Sequence, residues 1–141
     1  MRYRDLLSVL HWSSFFLILA MIKGGTSEPW VLALFVGVIG VWVVAALVHG
    51  KLGKAGPKLP PGMRRIYPWM HLALYAMLVL TAVAIVFRLI GQPLWFLDAW
   101  TMLLLTMSAG AFHGLFHFWR HTALYDGALR LILPRFLHRM L

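Results

Sequence analysis

The stretch WVLALFVGVIGVWVVAALV, residues 30–48, carries no charged side chain, and its only polar side-chain atoms are two indole N–H groups. At ~1.5 Å of rise per residue, a helix of this length matches the ~30 Å of hydrocarbon in a bilayer. It is aliphatic all round, with no polar face to turn toward water. Inside lipid a backbone must satisfy its own hydrogen bonds, so the stretch predicts a membrane-spanning helix. Glu28-Pro29 just before it suits a helix start, with an acid and a proline near the N-terminus.

Working outward, three more apolar segments have comparable length: residues 6–22, 67–90 and 95–119. The first holds a histidine in mid-span and lacks an A-x-A cleavage site, so it reads as a retained helix rather than a signal peptide. The expected architecture is all-α: a transmembrane four-helix bundle forming a single membrane domain over residues 1–141. Composition agrees. The chain is 62% hydrophobic and 12% charged, which would leave large apolar patches on a soluble domain of this size. The absence of cysteine excludes disulfides, iron–sulfur clusters and thiolate chemistry, so a bound metal or haem must take histidine, methionine or oxygen ligands.

The net charge of +9 is segregated. The first and third connections are nearly neutral, Lys23 with Glu28 and Arg88 with Asp98. The second carries Lys51, Lys54, Lys58, Arg64 and Arg65; the N-terminus adds Arg2 and Arg4, and the C-terminal stretch adds Arg120, Arg130, Arg135 and Arg139. Eleven of the thirteen Lys/Arg residues thus fall on one side. By the positive-inside rule that side is cytoplasmic, with both termini facing in. Lipid contact explains the basicity better than nucleic acid, for which no aromatic-basic groove pattern is present. Trp30, Trp95 and Trp100 on the outer side, with Trp12, Trp69 and Trp119 on the inner, suit interfacial belts. Residues 122–141 alternate basic and apolar side chains and contain Pro134, which suggests a short amphipathic segment along the inner leaflet.

All seven histidines avoid the outer half. His49 closes the second segment, His71 lies one turn into the third, His138 is in the tail, and His113, His117 and His121 line one face of the fourth at i, i+4, i+8. His11 lies roughly 7 Å, and His113 roughly 12 Å, above the inner ends of their helices. Ionisable groups this deep in apolar segments usually serve function, and the two depths allow one group to bridge the pair. Three chemistries are open. Haem iron takes axial imidazoles from facing helices. Zinc or copper is a weaker candidate, because the deep pair has no evident third ligand. A proton path along His113, His117 and His121 is the third. Small residues near the pair, Ser13-Ser14, Ser108-Ala109-Gly110-Ala111 and Gly114, with Gly37 and Gly40 on the second segment, are expected to make room for a planar group.

Several motifs then coincide in order and spacing. They are Arg2-Tyr3 with His11-Trp12, Pro57-Lys58-Leu59-Pro60-Pro61, His71-Leu72-Ala73-Leu74-Tyr75, and His113…His121…Asp126-Gly127-Ala128-Leu129-Arg130…Pro134. With these the chain resembles the bacterial cytochrome b561 family of di-haem, four-helix inner-membrane proteins, over nearly its whole length. The resemblance implies that His11 and His113 are axial ligands of the inner haem, and that His71 and His121 lie near quinone or propionate groups. The family's outer haem takes histidines at positions that here are Ala99 and the neighbourhood of Trp30. One haem b is therefore expected, with metal ligands His11 and His113. Further cofactor contacts are expected from His71 and His121; His117, which the family pattern does not supply, is added as a cofactor-binding candidate, and Arg4, Arg120, Arg64 and Arg65 are candidates by location. The implied activity is one-electron transfer as a quinone-linked oxidoreductase or electron carrier, with ubiquinone or another quinone as partner. Alternatives are a haem-bearing anchor subunit docked to another redox protein, and a haem-free proton or metal transporter. Two neutral axial imidazoles leave iron no open position, which favours electron transfer over oxygen activation.

Overall fold

The computed structural model describes residues 3–50, 55–131 and 133, without the side chains of Arg4 and Leu131. It is all-helical, with no strand among the described residues. The helices are α1 (Tyr3–Gly24), α2 (Pro29–His49), α3 (Pro61–Leu89) and α4 (Ala99–Ala123), followed by a 3₁₀ turn at Ala128–Leu131. All four helices are long and apolar enough to cross a membrane, which makes this a multi-pass membrane protein.

Two helix starts differ from those read in the sequence. Residues 67–90 were expected to begin the third helix near Pro68, yet α3 starts at Pro61, six residues earlier. Pro61 occupies the first helical turn, where a missing N–H costs nothing. Pro68 is then an interior proline, and it removes the N–H that would reach the Arg64 carbonyl. The apolar span therefore stands on two polar turns containing the exposed Arg64 and Arg65. α4 begins at Ala99 rather than at Trp95, because Asp98 caps it: the carboxylate accepts from the Thr101 N–H at 2.8 Å and from the Thr101 hydroxyl at 3.0 Å. Trp95 belongs to the preceding connection and is 93% exposed, as an interfacial anchor should be.

The helices run alternately up and down. Tyr3 at the start of α1 donates to the Ala45 carbonyl near the end of α2, while Arg88 at the end of α3 donates to Thr26 in the α1–α2 turn. Gly25 makes that turn in the left-handed region, at φ 71°. Each helix packs on its sequence neighbours, and the thinner α1–α4 contact closes the ring.

α2 shows how an all-apolar helix is oriented. Val31, Leu32, Phe35, Ile39, Trp42 and Ala45 are buried at helical spacing, while Leu34, Val41, Val44 and Leu47 face outward, where lipid replaces water. Away from the histidines, Met21, Phe35, Ile85 and Leu103 are almost completely buried, in one apolar cluster with Ala99. The half of the bundle without histidine is thus filled with side chains. Buried hydroxyls in the middle are paired. Thr81 meets Thr106 at 2.7 Å and donates to the Met77 carbonyl at 2.8 Å; Trp42 donates to Ser14, which donates to the Leu10 carbonyl.

The Asp98 cap has a measurable consequence. Its hydrogen bonds from Thr101, the backbone bond first, hold the carboxyl below the ordinary aspartate range. A depressed pKa stabilises the fold above the unfolded value and loses that contribution as pH falls through the folded one. Asp98→Ala is expected to cost about 1 kcal/mol in detergent unfolding at neutral pH, and the difference from wild type should vanish at a pH below the folded pKa. An equal deficit at both pH values would contradict the cap.

Candidate functional site

The histidine end is built mainly by α4. His113 and His117 lie one turn apart, and Arg120 and His121 continue the stripe through the next turn. α3 supplies His71 and Tyr67, and α1 supplies His11. The ring centres of His11 and His113 lie 6.5 Å apart across the α1–α4 seam. Two imidazoles that ligate one ion from opposite sides, with nitrogens about 2.0–2.1 Å from it, have ring centres about 6 Å apart.

The expectation that this pair lacks a third nearby ligand is corrected. His71 lies 5.0 Å and His117 4.5 Å from His113, centre to centre, and His71 and His117 are 5.7 Å apart. Facing helices bring together residues that sequence distance kept apart, and the helical repeat adds His117. His71 is oriented by its own helix: its Nδ1 donates to the Tyr67 carbonyl at 2.9 Å, which leaves Nε2 with its lone pair. His113 Nδ1, both ring nitrogens of His117 and His121 Nδ1 are buried without a hydrogen-bond partner.

His49 is elsewhere. It stacks on Tyr3 with ring centres 4.2 Å apart and is exposed. His138 and the Arg4 side chain lie outside the described residues. Arg64 bonds the Pro57 and Leu59 carbonyls of its own loop at 2.6 and 3.0 Å, so it clips that loop instead of reaching the histidines.

Arg120 is buried, and its charge is already matched. Its Nε and Nη2 both meet Asp126 Oδ2 at 2.6 Å, and the guanidinium lies 5.1 Å from the centre of the Tyr67 ring. Nη1 has no partner. Asp126 also accepts from the Ala128 N–H, which turns the chain back beneath the bundle. The α2–α3 loop closes over the pair. A Cβ on Gly56 would lie 2.8 Å from Arg120 Nη2, and Lys58 donates to the Tyr125 carbonyl. Tyr125 and Asp126 are therefore tied to the loop, and the 3₁₀ turn packs on α4; residues 132 and 134–141, which include Pro134 and part of the expected amphipathic segment, lie outside the described residues. The roles of Asp126 and Tyr67 as partners of Arg120 had no signature in the sequence beyond Asp126 being the only acid after α4.

The small residues do not open a slot within the ring. Gly37, Gly40, Gly110 and Gly114 face outward with no neighbour in the space a Cβ would take, and Ser14 is spent on Trp42 and Leu10. The space they leave is on the outer surface. A groove of about 500 Å³ runs between α3 and α4, lined by Met70, Ala73, Met77, Ala109, Phe112 and His113. No protein-family model, curated protein or solved structure matches the chain.

Removing one member of the Arg120–Asp126 pair leaves an uncompensated charge in the protein interior. Asp126→Ala should lower stability by about 3–5 kcal/mol, whereas Arg120→Met combined with Asp126→Leu should recover most of the loss. Unfolding in mixed detergent measures both, and a neutral Asp126→Ala would show that the pair carries no weight.

Proposed function

We propose that the chain is a b-type cytochrome of the membrane, similar to the bacterial cytochrome b561 family, which holds one haem b between His11 of α1 and His113 of α4. The observation that carries this reading is the pair itself: two imidazoles from different helices, 6.5 Å apart within apolar segments. The donor set fits the group. Neutral imidazole is an ordinary ligand of haem iron, His113 Nδ1 and both ring nitrogens of the adjacent His117 are buried without partners, and an apolar groove borders His113.

When bound, haem iron would supply one-electron redox chemistry. The chain's own residues do the rest. His11 and His113 would hold the iron, one imidazole from each of two helices. The Tyr67 carbonyl fixes the His71 ring beside them. The Arg120–Asp126 pair places a cation near the site without a net charge, and Arg120 Nη1 remains free to donate to an acidic group. The groove between α3 and α4 opens on the surface of an apolar bundle, which suits a quinone dissolved in lipid as electron partner. A role as haem-bearing subunit of a larger redox complex uses the same residues.

Haem is tested by a reduced-minus-oxidised spectrum with a haem-to-protein ratio. Wild type should give about one haem per chain, His49→Ala should match it, and His11→Ala and His113→Ala should lose it. A wild type without haem, or haem kept in both ligand variants, overturns the reading; a ratio near two overturns the single site.

The charge asymmetry further supports placement in a bacterial inner membrane with both termini in the cytoplasm. A green fluorescent protein fused at the C-terminus should fluoresce, while alkaline phosphatase at the same point should be inactive. The reverse pattern overturns this orientation.

A further inference from the structure

We propose that His71, His113 and His117 form a three-nitrogen site for a d¹⁰ transition-metal ion, Cu⁺ or Zn²⁺, which the chain can bind when haem is absent. The inference goes beyond the haem reading: the two sites share His113, but the metal site does not use His11, and the haem ligation does not use His71 or His117.

Geometry carries it. One ligand atom from each of the three residues can be chosen so that all lie within 4.8 Å of one another. The ring centres are 4.5, 5.0 and 5.7 Å apart. Three imidazoles on one tetrahedral ion, each with its nitrogen about 2.0–2.1 Å from the metal, have ring centres about 5 Å apart, so the triangle needs only small rotations to close. His113 and His117 are spaced i, i+4 on α4, the arrangement by which one helix offers two imidazoles to one metal. α3 provides the third ligand from the facing side, as in metal sites within helical bundles.

The hydrogen bonds agree. His71 Nδ1 donates to the Tyr67 carbonyl, which fixes the tautomer in the way a metal-bound histidine requires and presents Nε2. His113 Nδ1 and both nitrogens of His117 have no partner, and His117 is only 4% exposed. An unpaired buried imidazole is costly, and an ion would use the lone pairs that protein groups leave idle.

The ligand set also selects the ion. No carboxylate belongs to the triangle, and Asp126 is committed to Arg120. Hard ions such as Mg²⁺ need oxygen ligands and find none here. Imidazole suits copper and zinc. The ligands bring no negative charge, so Cu⁺ costs less to bury than Zn²⁺ and should bind more tightly. With three protein ligands, a fourth position stays open.

The test uses the full chain in detergent with His11→Ala, which removes one haem ligand and leaves the triangle intact. Cu⁺ is titrated against a chromophoric chelator and Zn²⁺ by calorimetry, with Mg²⁺ as control. One equivalent of Cu⁺ or Zn²⁺ per chain is expected, with no Mg²⁺ binding. Adding His71→Ala or His117→Ala should weaken binding at least about tenfold, while adding His49→Ala should not, with helicity by circular dichroism unchanged in each. Absence of a one-equivalent site for both ions overturns the proposal, as does undiminished binding in the His117→Ala chain. Loss of the haem reading would appear separately, as a wild-type spectrum without haem bands, whatever the titration shows.

Discussion

A neutral imidazole carries one hydrogen-bond donor and one acceptor, and hydrocarbon supplies a partner for neither. Everything at the histidine end follows from that constraint. Elsewhere in the bundle the buried hydroxyls are paired within the protein: Ser14 with Leu10 and Trp42, Thr81 with Thr106 and Met77. Among the described residues, the buried side-chain atoms left without a partner belong to His113, His117, Arg120 and His121, one stripe of α4. Each such atom costs about 1–3 kcal/mol. These costs are concentrated on one face of α4, and among the described residues no other buried side-chain polar atom lacks a partner.

The four-helix architecture was legible because bilayer thickness and helical rise leave little choice for residues 30–48 and their three counterparts. The helix starts at Pro61 and Asp98 were harder to read. Apolar runs mark the span and not the helix; Pro68 looked like a boundary but is an interruption, and the cap at Asp98 depends on one side chain reaching Thr101. Depth placed His11 and His113 at neighbouring levels, since alternating helices bring similar depths together, and their ring centres lie 6.5 Å apart. His117 follows from the helical repeat, but the proximity of His71 depended on how α3 is rotated against α4, which apolar residues on all sides do not specify. The same ignorance of rotation made the glycines look like internal clearance when they face lipid.

Arg120 illustrates the difference between location and role. By position it belongs among residues that could greet an anionic group at the membrane surface. In the fold it is a buried cation held by Asp126, covered by the loop at Gly56 and set against the Tyr67 ring. Tyr67 also holds His71 through its carbonyl. One residue thus links the loop clasp to the imidazole cluster, and a disturbance of the clasp has a short path to the rings.

The packed half of the bundle has an electrical meaning. Met21, Phe35, Ile85 and Leu103 fill it without a titratable or redox-active side chain among them, so it acts as an insulating slab. Full passage of one elementary charge through the membrane field is worth about 2.3 kcal/mol per 100 mV. An electron that, as proposed, entered and left at the histidine end would traverse only a small part of that field. On the proposed reading, the redox equilibrium of this protein is nearly blind to the membrane voltage, and its electron exchange neither charges nor discharges the bilayer.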